Sequence, residues 1–176
     1  MRIQPYRGTN RQIEVIASRL RSRVDSDEVD DVSSASLLRQ LVGRMGGEIE
    51  IAEDPSDQEM DGGSLVIRGR RDFTIFLSPY TTPLRDNFTI AHELGHYVLH
   101  YVLADQHAAP PLCFARYGSS PIEWQANRFA AALLMPQEKF RETFRLCEGN
   151  IPLLSGLFDV SLPAVQVRAK SLGLLE

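Results

Sequence analysis

The residues best able to do chemistry stand together at 91–100, AHELGHYVLH. Three of the chain's four histidines fall there, His92, His96 and His100, with Glu93 beside the first. At 3.6 residues per turn, His92 and His96 lie about 40° apart on one helical face and about 6 Å apart along the axis. Two imidazoles so placed can share one zinc ion at about 2.0–2.1 Å each. Glu93 lies about 60° round from His96, too far to be an obvious ligand but able to lean over a water that zinc activates. This is the H-E-x-x-H arrangement, with the glutamate as general base. A plain surface helix explains the segment poorly. Ala91, Leu94, Val98 and Leu99 put most of it in a core, and buried imidazoles and carboxylates need partners. One metal ion would serve all three. Gly95, inside the helix at about 1 kcal/mol relative to alanine, implies close packing there.

A zinc ion that keeps one position for water needs a third protein ligand. The H-x-x-G-x-x-H continuation fails, because position 99 is leucine and position 102 is valine. Cys113 and Cys147 stand in no supporting pattern. A carboxylate on the following helix remains, and 121–134 offers one. Glu123, Asn127, Ala130 and Leu134 form a narrow stripe. The adjoining stripe of Ile122, Ala126, Phe129 and Leu133 is apolar, and Gln125 and Arg128 point the other way. Asn127 could hydrogen-bond a ligand imidazole and fix its tautomer. Glu123 has a second reading, because Ser120-Pro121-Ile122-Glu123 also spells a capping box. Spacing alone leaves ligand and cap both open. His100 is about two turns from His92, too far to join the same coordination sphere, and reads as a polar contact at the helix end. His107 falls in a loop and carries no signal.

The elements that must position these groups are legible from periodicity. Ile13, Ile16, Ala17 and Leu20 make a helical stripe over 10–23, and Leu37, Leu38, Leu41, Val42 and Met45 make another over 34–45, stopped by Gly46-Gly47. The acidic run 25–31 reads as a solvated connector. The period then changes to two. EIEIA at 48–52 alternates, and SLVIRG at 64–69 and DFTIFLS at 72–78 read as a hairpin. Residues 53–63 and 104–120 read as loops. Helices are predicted at 86–103, 121–134, 137–147, 151–158 and 162–172. The class is α+β, with an early β-meander and the histidine helix packed against it.

The chain has 176 residues, 43% hydrophobic and 24% charged, with a net charge of −4. That suits one compact domain, or one domain plus a small appendage, and argues against a non-specific nucleic-acid or anionic-membrane binder. No signal-like apolar stretch opens the sequence, and its longest apolar run, FAAALLM at 129–135, is far short of a membrane span. With two isolated cysteines, the expected setting is a reducing cytoplasm.

HELGHYVLH at 92–100, preceded by FTIA at 88–91 and followed by EWQANRFAAALLMP at 123–136, resembles the ImmA/IrrE family of zinc metallo-endopeptidases. The second motif of that family, E-x-x-A-N-x-F-A-x-x-L-L-M-P, is matched at Glu123, Ala126, Asn127, Phe129, Ala130, Leu133, Leu134, Met135 and Pro136. The resemblance implies a zincin-like α+β domain with a small antiparallel sheet on the H-E-x-x-H helix. It implies His92, His96 and Glu123 as zinc ligands and Glu93 as catalytic base. The in vivo ion could also be manganese, since N/O sites are not strictly selective. The implied substrate is a helix-turn-helix repressor encoded nearby, whose cleavage relieves repression. A protein that binds such a partner without cutting it, as an anti-repressor or toxin–antitoxin partner, is the alternative. Where family members often carry arginine before F-T-x-A-H-E, this chain has Asn87.

The expected division is a metallopeptidase domain over 1–150 and a helix-turn-helix-like segment over 151–176 packed on it. Ser161 suits an N-cap, Pro163 the first turn and Gly173 the stop. The second helix offers only Arg168 and Lys170 as basic residues, too sparse a face for DNA. Packing or substrate docking is the better reading.

Overall fold

Ile13 and Ala17 are buried, as their helical spacing predicts, and lie on α1 (Asn10–Asp25). The computed structural model describes residues 3–25, 33–52, 63–104, 111–115 and 120–176. The acidic connector beyond Asp25, most of the loop at 53–63 and His107 lie outside the described residues. Helix α2 (Ser34–Arg44) is capped by the Ser33 hydroxyl and buries Leu37, Leu38, Leu41 and Val42. Gly46 follows with φ of 80°, a left-handed conformation that glycine adopts without strain.

The strands are β1 (Gly47–Ile51), β2 (Gly63–Gly69), β3 (Asp72–Leu77) and β4 (Leu112–Ala115). Their order across the sheet is β1-β3-β2-β4. β2 is antiparallel to both β3 and β4, but β1 runs parallel to β3, with Ile49 opposite Ile75. The sheet is therefore mixed, where an antiparallel meander was expected. Alternating apolarity specifies the face a strand buries, not the neighbour it pairs with or the direction in which it runs. β4 lies inside the stretch 104–120 that reads as loop. Four residues beside two prolines give too short a run to register as a strand.

Helix α3 (Pro83–Gly95) continues without a break into a π-helical segment (His96–Val102), in which Leu103 N–H donates to the Val98 carbonyl at 3.0 Å. A single α-helix over 86–103 was expected, and the apolar pattern does not distinguish the two turn types. Helices α4 (Pro121–Leu134), α5 (Gln137–Leu146), α6 (Ile151–Phe158) and α7 (Leu162–Ser171) follow. α4 packs against both α3 and α1. One apolar cluster takes Ile13 from α1, Leu38 from α2, Ile75 from β3, Leu94 from α3, Phe129 from α4 and Val165 from α7.

The α6–α7 turn is fastened at Asp159, which sits at φ 52°. Asn87, buried in α3, donates to the Asp159 carbonyl at 3.0 Å, so this departure from the family pattern has a structural task. On α7, Arg168 is fully buried. Its guanidinium grips both Glu14 oxygens, at 2.8 and 2.9 Å, and its Nε donates to the Met135 carbonyl at 3.0 Å. One of the two basic residues on a would-be recognition helix thus faces inward.

Candidate metal centre

Helices α3 and α4 meet at Gly95. A Cβ there would stand 3.1 Å from both Cα and carbonyl oxygen of Ala126 and 3.2 Å from Cβ of Phe129. Only a glycine lets the two backbones come this close without displacement. The contact fixes how far Glu123, one turn before Ala126 on α4, stands from the α3 histidines. The packing role expected of Gly95 is this approach.

At that junction the Nε2 atoms of His92 and His96 are 3.0 Å apart. Glu123 places Oε2 3.2 Å from His92 Nε2 and Oε1 3.1 Å from His96 Nε2. Donor atoms about 2.0–2.1 Å from a tetrahedral zinc ion stand about 3.3–3.4 Å from one another. The three separations match that triangle after a small outward relaxation, so the donor set fits the ion. Among the described residues, His92, His96 and Glu123 form the group of side chains able to hold a metal. Glu123 also keeps its place at the helix start: its backbone N–H donates to the Ser120 hydroxyl at 3.5 Å, while its carboxylate turns to the imidazoles. Cap and convergence coexist in one residue.

The electrostatics follow from this convergence. Burial alone would push the Glu123 carboxyl up, but hydrogen bonds and charge from His92 and His96 hold it down at about 2. Burial likewise opposes the charged form of His92, yet Glu123, Glu93 and Asn127 together raise its pKa.

Glu93 is buried, and its Oε1 accepts a hydrogen bond from the Ser64 hydroxyl on β2. Ser64 was not foreseen, because nothing in SLVIRG says which strand passes the histidine helix. The carboxylate lines a cleft of about 330 Å³ together with Arg85, Phe88, Thr89, His92, Glu123 and Asn127. Asn127 Oδ1 lies 2.9 Å from His92 Nδ1, as its position one turn beyond Glu123 predicts.

His100 is not part of the triangle. It is buried, with Nδ1 3.1 Å from His96 Nδ1 and Nε2 3.0 Å from Gln125 Oε1. Burial pushes its pKa down to about 4, so the ring is neutral near pH 7. The expected polar contact at the helix end is thus made to His96 itself. Gln125, which helical phase had turned away from the site, reaches the site's back through this ring.

Two buried imidazoles and the half-buried Glu123 carboxylate, with Glu93 alongside and a cleft in front of them, make a donor set able to hold a metal ion. The family model for the IrrE N-terminal-like domain (Peptidase_M78) matches residues 48–170, and the chain belongs to that metallopeptidase family. No curated protein sequence matches it. Among solved structures it is similar to a Mycobacterium tuberculosis transcriptional regulator. The TM-score is 0.60 at 18% identity, over 91% of this chain and 46% of that one. This chain therefore spans about half the length of that regulator, and the likeness is one of fold. No helix among the described residues is long and apolar enough to cross a membrane.

Proposed function

We propose that the protein is a zinc-dependent endopeptidase that cuts a helix-turn-helix repressor in the cytoplasm, with Glu93 as general base and His92, His96 and Glu123 as the metal ligands. The carrying observation is the convergence of the two Nε2 atoms and the Glu123 carboxylate beside Glu93 in one cleft. A bound zinc ion supplies Lewis acidity toward the scissile carbonyl and lowers the pKa of water to about 7. Glu93 accepts the proton from the attacking water and returns it to the leaving amine. Ser64 holds one oxygen of that carboxylate in place meanwhile. Burial at the cleft floor keeps Glu93 from being solvated away from the reacting atoms.

The strand a substrate would extend follows from the sheet order. β3 offers no free edge, because it is interior, paired on both sides by β1 and β2. β4 is an end strand, and its Phe114 ring packs 4.8 Å from the His96 ring. A substrate lying extended along β4 would pass the cleft with main-chain hydrogen bonds to that edge. The 1–150 and 151–176 division remains part of the proposal, with α6 and α7 as packing elements and no DNA contact.

Glu93→Gln tests the reading. It keeps size and the three ligand side chains, so zinc should stay bound while cleavage of the co-expressed neighbouring repressor falls by ~10²–10⁴-fold or more. If the variant relieves repression as well as the wild type, cleavage is not the mechanism, and binding without cutting takes its place.

A further inference from the structure

Most of the polar groups around the site are already engaged. Glu93 accepts from Ser64, Glu123 faces the two imidazoles, and Asn127 meets His92. Behind them, the Gln125 amide exchanges two hydrogen bonds with the Tyr6 peptide group, at 2.9 and 2.8 Å. Arg85 is the exception. It lines the same cleft and is exposed, and among the described residues no hydrogen bond or ion pair engages its guanidinium. The adjoining acid, Asp86, is held by the Thr81 hydroxyl and does not line the cleft.

The charges of the cleft point to what this guanidinium is for. The ionisable lining residues are Arg85, His92, Glu93 and Glu123. A bound divalent cation offsets the two carboxylates, which leaves Arg85 as the uncompensated charge. Arg85 does not serve its own helix either, because a cation in the first turn adds to the positive end of the helix dipole.

Position limits the role. Arg85 precedes His92 by seven residues, so it lies about 10 Å along the α3 axis and within about 20° in phase. Phe88, half-buried, stands between them on the cleft wall. Side chains lean toward the N-terminus of a helix, so the guanidinium is carried away from the metal ligands rather than over them. It is out of reach of the reacting carbonyl. An extended peptide advances about 3.3 Å per residue, so 10 Å corresponds to about three residues. We propose that Arg85 is a specificity-determining residue that pairs with an Asp or Glu side chain about three residues from the scissile bond of an extended peptide substrate. A guanidinium can take a carboxylate through two parallel hydrogen bonds, a match that a neutral amide does not offer. The proposal rests on the peptidase reading for the cut, whereas the pairing needs only a peptide in the cleft.

Internally quenched peptide pools test the pairing. Each pool fixes Glu, Gln or Lys at one position within a mixture of uncharged residues, and all carry amidated C-termini. With the zinc-loaded protein, Glu should be preferred to Gln about 10-fold at one position two to four residues from the cut. That value lies between those of an exposed ion pair and an enclosed charged hydrogen bond. The difference should fall in KM rather than kcat, because the contact is the same in the ground and transition states. Arg85→Glu should invert the preference, so that Lys is favoured over Gln at the same position. A merely structural role would produce no inversion. Cleavage indifferent to Glu at those positions, or an acidic preference that persists in Arg85→Glu, overturns the proposal. So does a preference confined to a matched set of pools with free C-termini, which assigns the guanidinium to a chain end. Binding is read separately, by fluorescence polarisation of the same pools, labelled, on the Glu93→Gln protein. Equal binding of Glu and Gln pools overturns the pairing. Pools that bind with the acidic preference but are never cut by the wild type overturn the peptidase reading and leave the pairing standing.

Discussion

Helices α3 and α4 and helices α6 and α7 both bring polar, ionisable groups into the interior, and the two pairs complete them differently. On α7, the Arg168 guanidinium is enclosed by Glu14 and the Met135 carbonyl, every contact coming from the protein's own chain. On α3 and α4, two imidazoles and a carboxylate point at one another across 3.0–3.2 Å and border a cleft. A buried charge closed off by its own partners holds elements together. Buried donor atoms that converge on one point beside solvent-accessible space are instead arranged for something that enters. Burial of a titratable group is common to both regions and so does not mark function; the convergence does.

Substitutions can break this comparison. Glu123→Gln has the largest expected effect on the site. Zinc affinity should fall by orders of magnitude and cleavage should vanish, while thermal stability changes little because glutamine also serves in a capping box. Chelator competition and a melt together check it, and a Gln variant with full zinc affinity would remove Glu123 from the ligand set. Arg168→Ala is the mirror image. It strands Glu14 without its bidentate partner, and breaking a buried pair typically costs ~3–5 kcal/mol of stability. The folded fraction should still bind zinc at the wild-type stoichiometry. Loss of metal with stability intact would erase the distinction between the two regions.

Gly95→Ala sharpens the comparison from inside the site. Its new Cβ must push against Ala126 and Phe129, an overpacking that typically costs ~1–3 kcal/mol. Because the strain bears on the α3–α4 spacing, zinc affinity should fall along with stability, unlike in Arg168→Ala. A calorimetric melt with and without zinc separates the two, and an alanine variant whose zinc affinity is unchanged would show that the close approach does not set the ligand spacing.

The sequence revealed the parts of the site that one helix can specify alone. His92, His96 and Glu93 share a short segment, and Asn127 follows Glu123 by one turn, so phase was enough to relate them. Glu123 was legible as either cap or ligand, and in the structure its backbone N–H meets the Ser120 hydroxyl while its carboxylate faces the two imidazoles. Ser64 and Tyr6 were illegible for a common reason. Each acts across a tertiary contact, and neither strand periodicity nor a loop sequence says which helix will pass nearby. Gln125 was misdirected because helical phase describes where a Cβ points, and a long side chain can turn back toward a neighbour. The mixed sheet was missed likewise: β1 and β3 pair across the intervening β2 segment, and alternation is blind to that choice.

Tyr6 belongs to no helix or strand, yet its amide is bonded to a side chain 119 positions away. Closing so long a loop costs more chain entropy than forming a local contact does. Solvent exchange at this one amide therefore reports on long-range assembly rather than on any local element. It should be slow only when the N-terminal segment, α4 and the histidine helix are all docked, which makes a single backbone proton a clock for completion of the site.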